Sequence, residues 1–399
     1  MTERTGRPPL WPAYLATFAF WVGTWAAFIA MPLHVVALGG TAAEAGLLAA
    51  IRAGLQAFLQ LPVGAITDAW GTRRVLLIAT FVNALVNLVP LLAVAAGTTL
   101  PYYAWAVASG TAAAFFLPGT SAYVAEQARP EARGSAFGWL TLFTHTGVAF
   151  GPAIGGLVWD WGGPAPVFVV AAGIGLAAAL AASFLPGGVT QRLRLRRLPA
   201  MVGEVGRQRA IVGSWIAALA IGIPWGSVSS LFPLFGTGIG LSAGTIGLIL
   251  ASQSLANGAS RVPLGRLIDR SHLPPIVAAI TAAGYGVLIM TLGLQSAIPA
   301  LVAILVIGIL LLASTLMLVQ VTITEVARPA VRATGLGGYG TALSTGLAIG
   351  PILTGSVADA HGFAWGFGII GAAGIAVAII AAVVLSGTRR RPAVAAFEK

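Results

Sequence analysis

Charge-poor stretches of about 20 residues recur along the chain between short polar breaks, at 12–34, 45–66, 75–96, 101–124, 134–158, 165–185, 210–235, 243–264, 275–295, 298–321, 333–357 and 364–385. Each is long enough to cross about 30 Å of hydrocarbon as a helix, which satisfies its own backbone hydrogen bonds there. The pattern predicts an all-α integral membrane fold of twelve spans. With 58% hydrophobic and 8% charged residues, the chain carries too little charge to cover a soluble surface.

The polar and small positions repeat. Glu126, Gly138, Gly147, Gly151-Pro152, Gly156 and Asp160 return 199 residues later as Glu325, Gly337, Gly346, Gly350-Pro351, Gly355 and Asp359, and Gly64 and Asp68 return 201 residues later as Gly265 and Asp269. One six-span unit is written twice. Six is even, so both copies enter the bilayer in the same orientation, and an axis along the membrane normal is expected to relate two six-helix bundles. The expected organisation is a bundle at 1–188, a basic cytoplasmic linker at 189–209, a second bundle at 210–388 and a tail at 389–399.

Charge then fixes the sidedness. Arg4, Arg7, Arg73, Arg74, Arg129, Arg133, the run from Arg192 to Arg209, Arg266, Arg270, Arg328, Arg332, Arg389 to Arg391 and Lys399 fall in the two tails and every second loop. By the positive-inside rule both termini are cytoplasmic. The net charge of +11 is therefore topological, and no nucleic-acid partner is expected. The linker arginines are expected to lie against anionic lipid headgroups. No small-residue cleavage site follows the first apolar stretch, which is expected to stay as a span.

Catalytic chemistry finds little support. The chain has no cysteine, which excludes disulfides and thiolate metal sites, and it shows no paired carboxylates, metal-spaced histidines or phosphate loop. Gly240-Leu241-Ser242-Ala243-Gly244 fits a hydrolase nucleophile pattern, but it lies in a short outer loop opening span 8, where Ser242 reads as a helix N-cap. Gly335-Leu336-Gly337-Gly338-Tyr339-Gly340 mimics a dinucleotide fingerprint yet opens a membrane helix instead of following a strand. Neither an enzyme nor a metal or cofactor is expected.

The loop Gly64-Ala65-Ile66-Thr67-Asp68-Ala69-Trp70-Gly71-Thr72-Arg73-Arg74, between spans 2 and 3, resembles the signature loop of the major facilitator superfamily. In span 5, Gly138, Gly147, Gly151-Pro152 and Gly155-Gly156 are similar to the antiporter signature of that superfamily's drug/proton exporters. The resemblance implies the major facilitator fold, a cavity lined by spans 1, 4, 7 and 10, and a cytoplasmic latch centred on Asp68 with Arg73, Arg74 and Glu126. The second-half copy, Asp269 with Arg270 and Glu325, is eroded. Read by their own chemistry, Gly147, Gly151 and Gly155 lie along one helical face and let a neighbour approach closely, while Pro152 can bend the helix. That face, repeated at Gly350-Pro351, is either a passive packing seam or a bendable contact between halves.

Polar residues at membrane depth mark a pocket or a partner helix. Arg52, Gln56 and Gln60 in span 2 match Gln253, Asn257 and Arg261 in span 8, each trio spaced by four on one face. Arg52, read as the one basic residue deep in a span, needs a partner: either Asp359, closing an outer gate, or an anionic group on a substrate. Span 1 carries an aromatic stripe of Tyr14, Phe18, Trp21, Trp25 and Phe28, with Trp225 in span 7 and Phe115 and Phe116 in span 4. Such a stripe serves core packing or a ligand, and the resemblance moves Trp25 and Trp225 toward the ligand. The drug/proton exporters carry an arginine in span 4 where this chain has Ala106, and no carboxylate lies deep in a span. His145 is read as the single buried group titrating near neutrality, so proton coupling stays open and facilitated diffusion is an alternative. The expectation is a monomeric inner-membrane exporter of small amphipathic organic compounds, with import of an organic anion or metabolite as first rival and a transport-dead sensor as second.

Overall fold

The structure, a computed structural model, describes residues 9–129, 132–187, 203–271, 273–328 and 331–388, without the side chains of Gln60, Leu61, Pro62, Gly64, Ala65, Asp68, Ala69, Asp269 and Ala333. Most of the expected linker and the C-terminal tail lie outside the described residues. Thirteen helices of eight residues or more occur among those described: α1 (Trp11–Ala37), α2 (Ala42–Trp70), α3 (Thr72–Val86), α4 (Val89–Ala96), α5 (Pro101–Gln127), α6 (Arg133–Gly162), α7 (Pro164–Ser183), α8 (Arg209–Gly238), α9 (Ala243–Ser271), α10 (Ile276–Leu292), α11 (Ile298–Val326), α12 (Arg332–His361) and α13 (Phe363–Leu385). They follow the twelve expected spans, with span 3 broken into α3 and α4. Pro90 sits at the start of α4; it lacks the N–H that would continue the ladder and its ring crowds the preceding turn.

Eight spans are long and apolar enough to cross a membrane on hydropathy alone. α5, α6 and α9 are long enough, at 27, 30 and 29 residues, but are diluted by Gly, Ser and Thr, and α10 is short at 17. Turn glycines repeat with the sequence. Gly39 and Gly240 both have φ of 87°, and Gly163 and Gly362 have φ of 74° and 86°, left-handed values at which a Cβ would be strained.

Contacts divide the chain into two compact units. The first comprises Met1–Met31, Leu59–Leu193 and Ser242–Ala251, and the second Pro32–Phe58, Arg194–Leu241 and Ser252–Lys399. The outer half of α2 thus belongs with the second unit and the outer start of α9 with the first. In the first unit, Phe20, Phe116, Tyr123 and Ala178 form a buried core, and Phe20 stacks on Phe116 at 3.7 Å. In the second, Ile211, Leu318, Val319, Ile323 and Leu385 do the same, joined by Val205. Val205 belongs to a short helix at 203–206, and Glu204 beside it accepts from Arg328 Nε at 2.8 Å. The last residues of the expected linker are therefore docked on protein, because an apolar side chain and a carboxylate both find partners there.

Candidate functional site

The repeated aspartates cap the starts of two helices. Asp359, near the end of α12, accepts from the amides of Ala42 and Ala43 at 2.9 and 2.8 Å. Asp160, near the end of α6, accepts from Ala243 and Gly244 at 3.0 and 2.8 Å. The next amide in each helix goes to a side chain of its own helix start, Glu44 N to Thr41 Oγ1 at 3.1 Å and Thr245 N to Ser242 Oγ at 3.2 Å. Three of the four early amides that each helix leaves unsatisfied are thus taken up, and a carboxylate sits at the positive end of each helix dipole. Ser242 is an N-cap, as its position predicts.

Asp359, expected as one of two partners for Arg52, accepts from the amides that open α2. A helix start offers two aligned donors to one carboxylate, a geometry that no single side chain spacing reveals. Asp160, its repeat partner, makes the matching pair of contacts, and the 199-residue repeat is the sequence signal that points to it.

Glycines let these ends meet. A methyl group on Gly46 would lie 2.2 Å from the Pro351 carbonyl oxygen, and one on Gly355 2.4 Å from that of Ala42. The repeat copies match, with Gly247 at 2.2 Å from the Pro152 oxygen and Gly156 at 2.1 Å from the Ala243 oxygen. By contrast, the face of Gly147, Gly151 and Gly155 packs on α1, where added methyl groups would lie 2.7, 2.5 and 2.6 Å from Phe18, Trp25 and Ala26. Those three glycines form a seam inside the first unit and are not a contact between sequence halves. Gly346 and Gly350 likewise face α8, at 2.7 and 1.9 Å from Ile223 backbone atoms.

At the end of α2 the side chain of Asp68, like that of Asp269 in α9 and the Cβ side of Gly64, lies outside the described residues. Its neighbours are visible. Gly71 turns α2 into α3 with φ of 82°, a left-handed value that explains the glycine of the loop motif. Glu126 accepts from Thr72 Oγ1 at 3.1 Å, and Arg73 Nη2 donates to the Ser183 carbonyl at the end of α7, 3.2 Å away. Arg74 lies in the first turn of α3, Arg270 in the last turn of α9 and Glu325 in the last turn of α11.

The polar stripe of α9 is buried. Gln253 and Asn257 are 7% and 6% exposed, and Gln253 Nε2, Asn257 Oδ1 and Arg261 Nε have no hydrogen-bond partner among the described residues. Arg52 is also buried, with Gln56 half-buried one turn on. Arg261 lies ten residues before the end of α9, which runs on past the expected limit of span 8. Trp225 is half-buried on α8.

In the first unit, the aromatic stripe of α1 is chiefly packing. Tyr14 stacks on Phe143 at 5.7 Å, Phe18 meets Phe143 and Phe150 edge-on at 6.4 and 6.0 Å, and Trp25 meets Phe28 edge-on at 5.2 Å. Phe115 lines a shallow apolar groove with Val75, Ala79 and Thr111. His145 is half-buried, whereas His34, in the last turn of α1, is only 5% exposed. No group of His, Asp and Glu suited to a metal occurs among the described residues.

The chain matches known proteins along most of its length. Its sequence is 25% identical over 256 residues to a multidrug resistance efflux pump PmrA homologue of Lactococcus lactis, covering 60% of this chain and 61% of that one. It is 27% identical over 165 residues to the multidrug resistance protein MdtG of Salmonella paratyphi A, covering 39% and 40%. The chain thus spans about three fifths and two fifths of these relatives' lengths. An uncharacterised MFS-type transporter of Methanocaldococcus jannaschii is 20% identical over 87% of this chain and 92% of its own. Among solved structures, a bacterial homologue of the human lysosomal transporter Spinster has a TM-score of 0.81 at 14% identity, covering 96% and 98%. The nucleoside transporter NupG has a TM-score of 0.74 at 13% identity, covering 95% and 99%. The profile of the Major Facilitator Superfamily matches residues 13–243 and 214–399, and with twelve spans and no strand among the described residues the chain belongs to that superfamily, as a transporter and not an enzyme.

Proposed function

We propose that this chain exports small amphipathic organic compounds across the cytoplasmic membrane by alternating access, as a monomer with both termini in the cytoplasm. The observation that carries the reading is the α9 stripe. Gln253 Nε2 and Asn257 Oδ1 are buried at membrane depth without a protein partner, in a setting where unsatisfied polar atoms are costly. A solute with a few hydrogen-bonding groups on an apolar body suits them. Arg52, Gln56 and Trp225 belong to the same unit and extend this ligand set; Trp25, Phe115 and His145 are the first-unit candidates. The efflux-pump names of two relatives favour the outward direction.

In this reading the capped pairs α2 with α12 and α6 with α9 are the outer closure, and the Asp68 loop with Glu126 is the inner one. Each outer pair joins helices from different halves of the sequence, so alternating access must part them. Proton coupling falls to His145, to His34 or to Glu126. Export predicts gradient-driven accumulation of substrate in everted vesicles and low accumulation in intact cells. The reverse pattern would establish import of an organic anion or metabolite, downhill movement alone would establish a facilitator, and no movement in either would leave a sensor.

A further inference from the structure

Arg261, Gln320 and Tyr339 come together in the second unit from α9, α11 and α12. Gln320 Nε2 donates to the Tyr339 hydroxyl oxygen at 3.2 Å, and the Arg261 guanidinium lies within electrostatic reach of that hydroxyl. Because the phenol oxygen accepts from Gln320, its own proton remains to be donated. Arg261 Nε is buried with no acceptor, and no carboxylate among the described residues pairs with this guanidinium. Arg261 lies ten residues before Ser271, the end of α9, or about 15 Å along the axis. A guanidinium with a buried Nε is stabilised by an anionic partner, and no ion pair to it occurs among the described residues.

The neighbourhood says what the counter-charge belongs to. Asn257 stands one turn of α9 before Arg261 and Gln253 one turn further, at about 6 and 12 Å along the axis, both with unfilled hydrogen-bonding capacity. The repeat does not account for the cluster, since Gln60 and Leu140 occupy the positions that match Arg261 and Tyr339 in the first half. We propose that Arg261 and Tyr339 bind the carboxylate of an amphipathic organic anion whose body extends along α9 past Asn257 and Gln253. This rests on the reading of the chain as a carrier of small amphipathic solutes and names their class. A guanidinium with a phenol donor beside it suits a carboxylate by charge and by donor geometry.

The test is equilibrium binding, which is independent of direction and coupling. Calorimetric titration of the full chain in uncharged detergent would compare 1-naphthoate with its neutral isostere 1-naphthamide. Wild type should prefer the anion. Arg261→Gln should weaken 1-naphthoate binding on the order of tenfold or more and leave 1-naphthamide unchanged. Tyr339→Phe, which keeps the ring, should give a smaller loss, and Arg261→Lys should restore part of the anion preference. Equal binding of the two probes by wild type, or an unaltered preference in Arg261→Gln, would overturn the assignment. So would displacement of 1-naphthoate by added phosphatidylglycerol, which would give the cluster to a lipid headgroup. Transport that proves inward would refute export while leaving this binding result intact.

Discussion

Replacing Asp359 with Asn tests the outer closure most directly. Asp359 holds two amides at 2.9 and 2.8 Å, and asparagine keeps one acceptor while losing the charge and the second bond. A lost N-cap costs about 1 kcal/mol and a lost carboxylate at a helix N-terminus about 0.3 to 1 kcal/mol more. The closed outer state should therefore lose about 1.5 to 2 kcal/mol, a shift of roughly 10- to 30-fold in its equilibrium with the open one. Asp160 shares no partner with Asp359, so Asp160→Asn should act alike and the double variant should approach the product of the two. The chain has no native cysteine, so a single one placed at Ala49, which is 4% exposed in the outer half of α2, reports opening through its reaction with a membrane-impermeant maleimide. Labelling should accelerate by the same 10- to 30-fold factor in Asp359→Asn. A rate within twofold of wild type, in protein that remains monodisperse, would refute the reasoning. The charge exchange Arg52→Asp with Asp359→Arg should not restore transport, because an arginine at 359 would face helix amides, donor against donor.

Three further outcomes follow from the same geometry. Gly46→Val should block closure of α2 on α12 and raise Ala49→Cys labelling more than Asp359→Asn does, since even a methyl group at 46 would lie 2.2 Å from the Pro351 oxygen; normal labelling and transport would contradict the close approach. Asp68→Asn should abolish most transport with insertion intact, and Asp269→Asn should be milder, because the loop motif is complete only in the first half; equal losses in a vesicle uptake assay would remove the asymmetry. If transport uses a proton, His145→Ala should remove its dependence on the pH gradient without abolishing ligand binding, and retained gradient-driven accumulation would shift coupling to His34 or Glu126.

The sequence by itself determined the apolar spans and the duplication. A bilayer dictates how long an apolar helix must be, and that length is a local property of the chain. The N-cap at Ser242 was legible for the same reason. Which face of each helix meets which neighbour was not. In lipid the outside of a helix is as apolar as its inside, so hydrophobic periodicity carries no sign of direction, and small residues mark a close contact without naming the partner. Tertiary structure alone put Gly147, Gly151 and Gly155 on α1, set Asp359 on the amides of Ala42 and Ala43, buried His34, and drew Gln320 and Tyr339 from distant helices to Arg261. Those outcomes depend on three-dimensional approach between helices far apart in the chain, where a carboxylate is settled by the strongest aligned donors within reach and not by the nearest opposite charge in the sequence.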